Sequence, residues 1–138
     1  MYDIGSIILI ENHIFKNAKG VRKYEIDHCR KRPAIVIAED SENFYYLTLT
    51  STKGKDFRQF KFRRKNKDSY ITLENIYEKK IYGAIERERL SDKQLLELLQ
   101  KFYNYHVNKQ EPMFKKIEKL VLAKIKELIL NNQQIHKK

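Results

Sequence analysis

The sequence contains a single cysteine, two prolines, four glycines and no tryptophan. One cysteine, Cys29, allows neither an intramolecular disulfide nor a cysteine-based zinc site, so the fold has to be held together by its core. The scarcity of glycine and proline argues against long linkers and low-complexity tails. A chain of 138 residues is long enough for one domain with a genuine core and too short for two. We therefore expect one domain over residues 1–138.

Long apolar runs are also absent. The longest run near the start, residues 7–10, is far shorter than a membrane span, and the first residues lack the basic and apolar segments of a signal peptide. Acidic residues are in the minority, with 18 Asp and Glu against 29 Lys and Arg, which gives a net charge of +11. We expect a cytoplasmic protein with no membrane association, whose partners are polyanions.

Motifs for metals and cofactors are missing. The sequence has no phosphate loop, dinucleotide fingerprint, His-Glu-x-x-His motif or calcium loop. Its four histidines are scattered and form no ligand spacing. We expect neither a metal nor a cofactor.

The apolar pattern predicts strands first and helices last. Runs rich in β-branched and aromatic residues predict strands at 4–10, 33–38, 44–50, 57–63, 69–73 and 80–85, and the polar stretch 12–31 predicts a long loop. Ser91-Asp92-Lys93-Gln94 is a capping-box pattern that begins a helix, and Pro112 suits the first turn of a second one. This order indicates an α+β fold: a small, strongly bent antiparallel sheet or SH3-like barrel over residues 1–90, followed by two helices over 91–138.

Cations are concentrated between residues 53 and 67, where Asp56 is the lone acid. Within this stretch Lys61 and Arg63 alternate with Phe60 and Phe62, which predicts a half-buried strand with a positive outer face. A second basic cluster precedes the strand at residues 33–38. The candidates for binding an RNA backbone are Arg30, Lys31, Lys55, Arg58, Lys61, Arg63, Arg64, Lys65 and Lys67.

Two short segments combine residues suited to phosphate chemistry. Arg32 stands at the start of one predicted strand, and Thr50-Ser51-Thr52-Lys53 ends the next. If these strands form an antiparallel pair, the start of one lies beside the end of the other, which brings Arg32 and Lys53 close to the two hydroxyls of Thr50 and Ser51. Cations and hydroxyls at one sheet edge can hold a phosphate. A solvated basic loop and a hydroxyl-rich turn are the ordinary alternative.

Three segments follow one another in a characteristic order: Gly5-Ser6-Ile7-Ile8, Lys31-Arg32-Pro33-Ala34-Ile35-Val36-Ile37 and Leu49-Thr50-Ser51. They resemble the Gly-Asp-Ile, Arg-Pro and Ile-Thr-Ser segments of the PemK/MazF family of toxin ribonucleases, with Ser6 in place of the usual aspartate. Thr50-Ser51-Thr52-Lys53 is similar to the Thr-Ser-x-Lys motif of the ToxN branch, where a lysine occupies the position of Arg32. The long basic strand and the paired helices favour this branch, in particular its CptN-like subgroup.

The resemblance implies a function as well as a fold. It implies the toxin of a type III toxin–antitoxin system, a metal-independent endoribonuclease that cuts single-stranded RNA through the substrate's own 2′-hydroxyl. In this interpretation Arg32 stabilises the charged transition state, and Lys53 shares that role or protonates the leaving oxygen. Thr50 and Ser51 hydrogen-bond the phosphate or the 2′-hydroxyl. The implied partner is a small structured antitoxin RNA, in a higher-order assembly with the toxin.

Other interpretations use the same residues. The Arg32-Pro33 pair is compatible with a PemK/MazF-type toxin inhibited by a protein antitoxin, and His28 is a second candidate for the acid or base. A non-catalytic RNA-binding barrel would use the basic strand for phosphates and aromatic side chains for bases. A protein-interaction module would account for the helices but leaves the basic stretch without a role.

Overall fold

The computed structural model describes residues 3–11, 31–80 and 86–136. In chain order these form the strands β1 (Ser6–Glu11), β2 (Lys31–Glu39), β3 (Asn43–Thr50), β4 (Gln59–Arg64), β5 (Lys67–Thr72), β6 (Tyr77–Lys80) and β7 (Glu86–Arg89), with a 3-10 turn (Asp56–Arg58) before β4. Two helices follow, α1 (Asp92–His106) and α2 (Pro112–His136). None of the helices in these ranges is long and apolar enough to cross a membrane.

The strands form one antiparallel sheet in the order β4-β5-β3-β2-β1-β7, with β6 pairing with β3 beside this path. The sheet is strongly curled. Its two edge strands are brought together at one point, where Arg64 Nε of β4 lies 2.6 Å from Glu88 Oε1 of β7. The predicted α+β class, a strongly bent antiparallel sheet followed by helices, is confirmed.

The helices cover one face of the curled sheet. Apolar residues from β1 to β5 form one cluster with the inner stripes of α1 and α2, among them Leu95, Leu99, Phe102, Ile117 and Val121. A second buried cluster lies on the opposite face of β1, β2 and β3 and contains Ile8, Val36 and Tyr46. The central strands are therefore buried on both faces, which explains why their sequences are continuously apolar rather than alternating.

The helix starts follow the predicted chemistry with one difference. Ser91 caps α1, its hydroxyl accepting a hydrogen bond from the Gln94 backbone N–H at 3.2 Å, and α2 begins at Pro112. In a capping box the Gln94 side chain would also accept from the Ser91 backbone N–H. Here Gln94 Oε1 accepts from the Ser91 hydroxyl instead, at 3.4 Å.

The strand predictions differ from the structure mainly after residue 50. The fourth strand begins at Gln59 rather than at Phe57, because residues 56–58 form the 3-10 turn. The predicted loop after residue 73 is shorter than expected, since β6 begins at Tyr77. The strand β7 was not predicted at all, and its sequence Glu-Arg-Glu-Arg carries no apolar residue. Residues 12–30 of the predicted 12–31 loop and most of the predicted 80–85 strand lie outside the described residues, and Lys31 is the first residue of β2.

Candidate nucleic-acid interface

The amino-terminal end of β2 and the carboxyl-terminal end of β3 lie at the same end of the sheet. The two strands are antiparallel, with Ala34 opposite Thr48 and Ile35 opposite Leu47. The pairing ends at Ala34 and Thr48, and Arg32 and Thr50 each lie two residues beyond it, at the same end of the two strands. On the other side of β2, Arg32 pairs with Ile10 of β1. The strand arrangement expected for the candidate phosphate site is therefore present in the backbone.

Thr50 and its neighbours form an exposed, internally hydrogen-bonded segment. Thr50 is half-buried, whereas Ser51, Thr52 and Lys53 are exposed. The Thr52 backbone N–H donates to Thr50 Oγ1 at 3.1 Å, so the Thr50 hydroxyl keeps its own proton available for donation. Across the sheet Thr50 pairs with Tyr70 of β5, which in turn pairs with Lys61 of β4. Because directly opposed residues share a face, these three side chains lie on one side of the sheet.

The Gln59 side chain bridges two backbone groups of the β3–β4 connection, residues 51–58. Its Oε1 accepts from the Gly54 backbone N–H at 2.7 Å, and its Nε2 donates to the Thr52 carbonyl at 3.2 Å. The approach is close enough that a Cβ at Gly54 would lie 3.2 Å from Gln59 Nε2. The loop that carries Ser51 and Lys53 is thus tied to the first residue of β4.

The 3-10 turn at the end of the β3–β4 connection is anchored to α1. Lys101 Nζ donates to the Asp56 carbonyl at 2.6 Å and also to the Gln59 carbonyl. The Arg58 backbone N–H donates to the Lys55 carbonyl at 2.9 Å, and the Arg58 carbonyl accepts from Leu73 N–H at 2.9 Å. These contacts hold Phe57 with 56% of its surface exposed.

The cations of the β3–β4 connection have no acidic partner within the part of the chain that the structure describes. Lys53, Lys55 and Arg58 are exposed and take part in none of its ion pairs. Arg58 instead has its guanidinium carbon 5.2 Å from the centre of the Phe57 ring. An open cavity of about 330 Å³ adjoins it, lined by Gly54, Lys55, Arg58, Gln59, Thr72 and Glu74.

The β4–β5 hairpin presents the predicted alternation. Phe60 and Phe62 are buried, and Lys61 and Arg63 point outward and are exposed. Both cations lie near Asp68 of β5, with Lys61 Nζ 3.6 Å and Arg63 Nη1 3.9 Å from its carboxylate oxygens. Lys65 and Asn66 form a two-residue turn in which both φ angles are positive (51° and 66°), the geometry of a type I′ hairpin. Lys65 and Lys67 are exposed at this tip.

Arg64 has a different environment from the other basic residues of the hairpin. Its side chain is only 18% exposed, that of Glu88 is 27% exposed, and the two form the ion pair that joins the edges of the sheet. Arg64, a predicted contact for RNA, thus has a carboxylate partner that supports the fold.

Sequence reasoning missed His106, a buried residue of α1 that supports the β3–β4 connection through Leu73. His106 is buried, and its Nε2–H donates to the Leu73 carbonyl at 2.7 Å. The N–H of Leu73 in turn donates to the Arg58 carbonyl, at the end of the connection. Its ring is stacked on Phe114, and its Nδ1 has no hydrogen-bond partner among the described residues. Burial lowers the pKa of His106 below its ordinary value. The available signal was that His106 follows Phe102 by four residues, on the apolar face of α1.

Some predicted residues cannot be compared with the structure. Arg30 and His28 lie outside the described residues. For Lys31 and Arg32 the structure describes the backbone, which belongs to β2, and not the side chains. Among the residues described, no group of three or more His, Cys, Asp or Glu side chains could hold a metal ion.

Comparison with known proteins adds no relative. The sequence matches no protein-family model, and no curated protein is significantly similar to it. The resemblance to toxin ribonucleases therefore rests on the short motifs of residues 5–8, 31–37 and 49–53, together with the basic strand and the paired helices.

Proposed function

We propose that this protein is a metal-independent endoribonuclease that cleaves single-stranded RNA, the toxin of a cytoplasmic toxin–antitoxin system of the ToxN/CptN branch of the PemK/MazF-like ribonucleases. The observation that carries the proposal is the antiparallel pairing of β2 and β3, which sets the start of β2, with Arg32, at the same sheet end as Thr50, Ser51 and Lys53. Two hydroxyls and two cations gathered at that end would supply what cleavage by a substrate 2′-hydroxyl requires.

The reaction needs no nucleophile from the protein. The 2′-hydroxyl attacks the adjacent phosphorus, the bond from phosphorus to the 5′-oxygen breaks, and the products are a 2′,3′-cyclic phosphate and a 5′-hydroxyl. The 2′-hydroxyl loses its proton and the 5′-oxygen gains one. The protein therefore has to align the attack, stabilise the negative charge on the phosphorane and assist both proton transfers.

Each residue of the candidate site has a role in this scheme. Arg32 offers a planar guanidinium for two phosphate oxygens and stabilises the developing charge. Lys53 shares that charge or delivers the proton to the 5′-oxygen. The Thr50 hydroxyl, which already accepts from Thr52 N–H, donates its proton to a phosphate oxygen, and the exposed Ser51 hydroxyl holds the phosphate or the 2′-hydroxyl.

The decisive experiment is an incubation of purified protein with single-stranded RNA in the presence of EDTA. We expect cleavage to continue, with products that carry a 2′,3′-cyclic phosphate and a 5′-hydroxyl. A strict requirement for magnesium with 5′-phosphate products would contradict the proposal. RNA binding without any cleavage would favour the second candidate function, a non-catalytic RNA-binding barrel. Its supporting observation is that Lys53, Lys55 and Arg58 form no ion pair within the described residues.

The antitoxin is proposed to be a small structured RNA, with a protein antitoxin as the alternative. The two differ in what accompanies the toxin when it is expressed together with the DNA upstream of its gene. A co-purifying, nuclease-sensitive RNA transcribed from tandem repeats would support type III inhibition. A co-purifying small acidic protein would show that the antitoxin is a protein.

A further inference from the structure

Phe57 is an aromatic side chain left in solvent. Four large apolar side chains are exposed in the described part of the chain, Phe57, Leu120, Ile129 and Leu130, and Phe57 is the aromatic one. The other phenylalanines that the structure describes are buried, and Phe44, Phe102 and Phe114 are completely so. An exposed ring beside binding residues is typical of a contact surface rather than of a core.

The backbone on both sides of Phe57 is fixed by hydrogen bonds. Lys101 of α1 binds the carbonyls of Asp56 and Gln59 on either side of it. Hydrogen bonds from Arg58 N–H to Lys55 and from Leu73 N–H to Arg58 fix the turn further. A platform ordered in advance loses little conformational entropy when a flat ligand stacks on it.

The surroundings of the Phe57 ring favour a polyanion that carries flat, unpaired bases. Lys53, Lys55 and Arg58 are exposed in the same connection as Phe57, where Asp56 is the one acid among residues 53–58, and Glu74 of the adjoining cavity is a second acid nearby. The Arg58 guanidinium lies 5.2 Å from the ring centre, so a cation and an aromatic face are offered together. Aromatic rings with cations beside them are how proteins bind single-stranded nucleic acid without reading its sequence.

Resting on the proposed ribonuclease function, we propose that Phe57 is a stacking platform for an unpaired base of the RNA, next to the phosphate held by Ser51 and Lys53. The hydrogen bonds of Gln59 to Thr52 and Gly54 join the platform and the phosphate-binding segment into one loop. The enzyme thereby selects unpaired RNA, because bases within a duplex are already stacked on each other and are not available to the ring.

The absence of tryptophan in the natural chain makes a direct test possible. The platform variant, Phe57→Trp, contains a single tryptophan, and the control variant, Leu130→Trp, carries one on α2 at a site of matched exposure, 57% against 56%. Each is titrated with a single-stranded oligonucleotide of 2′-O-methyl RNA, which lacks the nucleophile and is not cut, and with the same sequence as a duplex. We expect the single strand to quench the fluorescence of the platform variant strongly and the duplex to quench it little. The fluorescence of the control variant should respond to neither.

Affinity gives the second measurement. Phe57→Ala should weaken binding of the single strand about 5- to 150-fold, which corresponds to the roughly 1–3 kcal/mol measured per stacked base. Phe57→Tyr should retain most of the affinity, and Phe57→Leu, which keeps the apolar surface, should lose most of it. All variants should unfold in urea like the natural protein, because the side chain is exposed.

The outcomes separate this inference from the proposed function. Equal binding by Phe57→Ala, or equal quenching of the platform variant by single strand, duplex and polyphosphate, would overturn the stacking role while cleavage by the natural protein still stands. Quenching and weakened binding as expected would support the stacking role, even if the natural protein proved not to cleave RNA and the proposed catalytic activity failed.

Discussion

The β3–β4 connection and the β4–β5 hairpin are both rich in Lys and Arg, and they differ in what surrounds those side chains. In the hairpin, Lys61 and Arg63 lie near Asp68, and Arg64 is bound to Glu88. In the connection, cations such as Lys53 and Lys55 have no acidic partner among the described residues. The sequence predicts one continuous basic track from residue 53 to residue 67, and the structure divides it in two.

This division follows from where the acids are. A carboxylate on a neighbouring strand fixes a cation in the sheet and offsets its charge, so that cation is a poor first contact for a phosphate. A cation on a loop without such an acid keeps its charge for a ligand. We therefore expect the largest effects on RNA cleavage and binding from changes in the connection. Changes in the hairpin should have smaller effects, on stability at Arg64 and on the salt dependence of binding at Lys61 and Arg63.

The largest expected effect concerns the connection. Ser51→Ala and Lys53→Ala should each slow RNA cleavage by about 100- to 1000-fold, the usual loss when one donor to a charged transition state is removed. Both side chains are exposed, so the free energy of unfolding in urea should change by less than about 0.5 kcal/mol. Lys93→Ala, at an exposed position in the first turn of α1, is the matched control and should cut at the full rate. Full activity in a variant lacking both Ser51 and Lys53 would refute the site.

The second effect concerns His106, the support beneath the connection. Its folded-state pKa is lowered by burial, so protonation favours the unfolded chain. Stability should be complete above the ordinary histidine pKa of 6.5 and decline as the pH falls below that value toward the folded pKa. Urea unfolding of the natural protein and of His106→Gln, compared between about pH 7.5 and pH 5.5, measures this. The variant should lose roughly 2 kcal/mol at neutral pH and show a smaller further loss on acidification. An identical pH dependence in both proteins would contradict the role of His106.

The sequence was sufficient for the central strands because burial on both faces leaves a continuous apolar signal. It was insufficient for β7, Glu86–Arg89, whose residues carry no apolar pattern. This strand exists because its backbone pairs with β1 and because Glu88 and Arg89 bind Arg64 and Asp3. Those partners are far away in sequence, so no local pattern could reveal them.

The candidate site was predictable to a similar extent. Antiparallel pairing of two adjacent strands brings the start of β2, with Arg32, to the same end of the sheet as Thr50, and this could be inferred from the short turn between them. Phe57 was included in the predicted strand 57–63, although its spacing of three residues from Phe60 breaks the alternation that Phe60 and Phe62 follow. The contact that holds it in a 3-10 turn comes from Lys101, on the first helix after the sheet. A long-range donor of this kind has no signature in the segment that it organises.

A smaller effect is expected where the sheet edges meet. Glu88→Gln should lower the free energy of unfolding by about 1 kcal/mol, because it leaves the largely buried Arg64 with a weaker, neutral partner. Asp68→Asn is the matched change on the exposed pairs and should cost less than about 0.5 kcal/mol, since its side chain is 40% exposed. Urea unfolding of both variants tests this. Equal losses would mean that the closure of the sheet does not depend on the Arg64–Glu88 pair.

The smallest effect concerns the outer face of the hairpin. Neutralising Lys61, Arg63 and Lys65 together, with Arg64 kept to preserve the sheet closure, should reduce the slope of log affinity against log salt by roughly 0.7 for each phosphate of single-stranded RNA that is no longer neutralised. Asp68→Asn should act in the opposite direction and strengthen binding at low salt, because it removes the acid that faces Lys61 and Arg63. If the antitoxin is itself an RNA, the triple variant should also bind it more weakly and be harder to silence. An unchanged slope in the triple variant, with no gain in Asp68→Asn, would mean that the hairpin is a solvated face and that the connection alone carries the RNA.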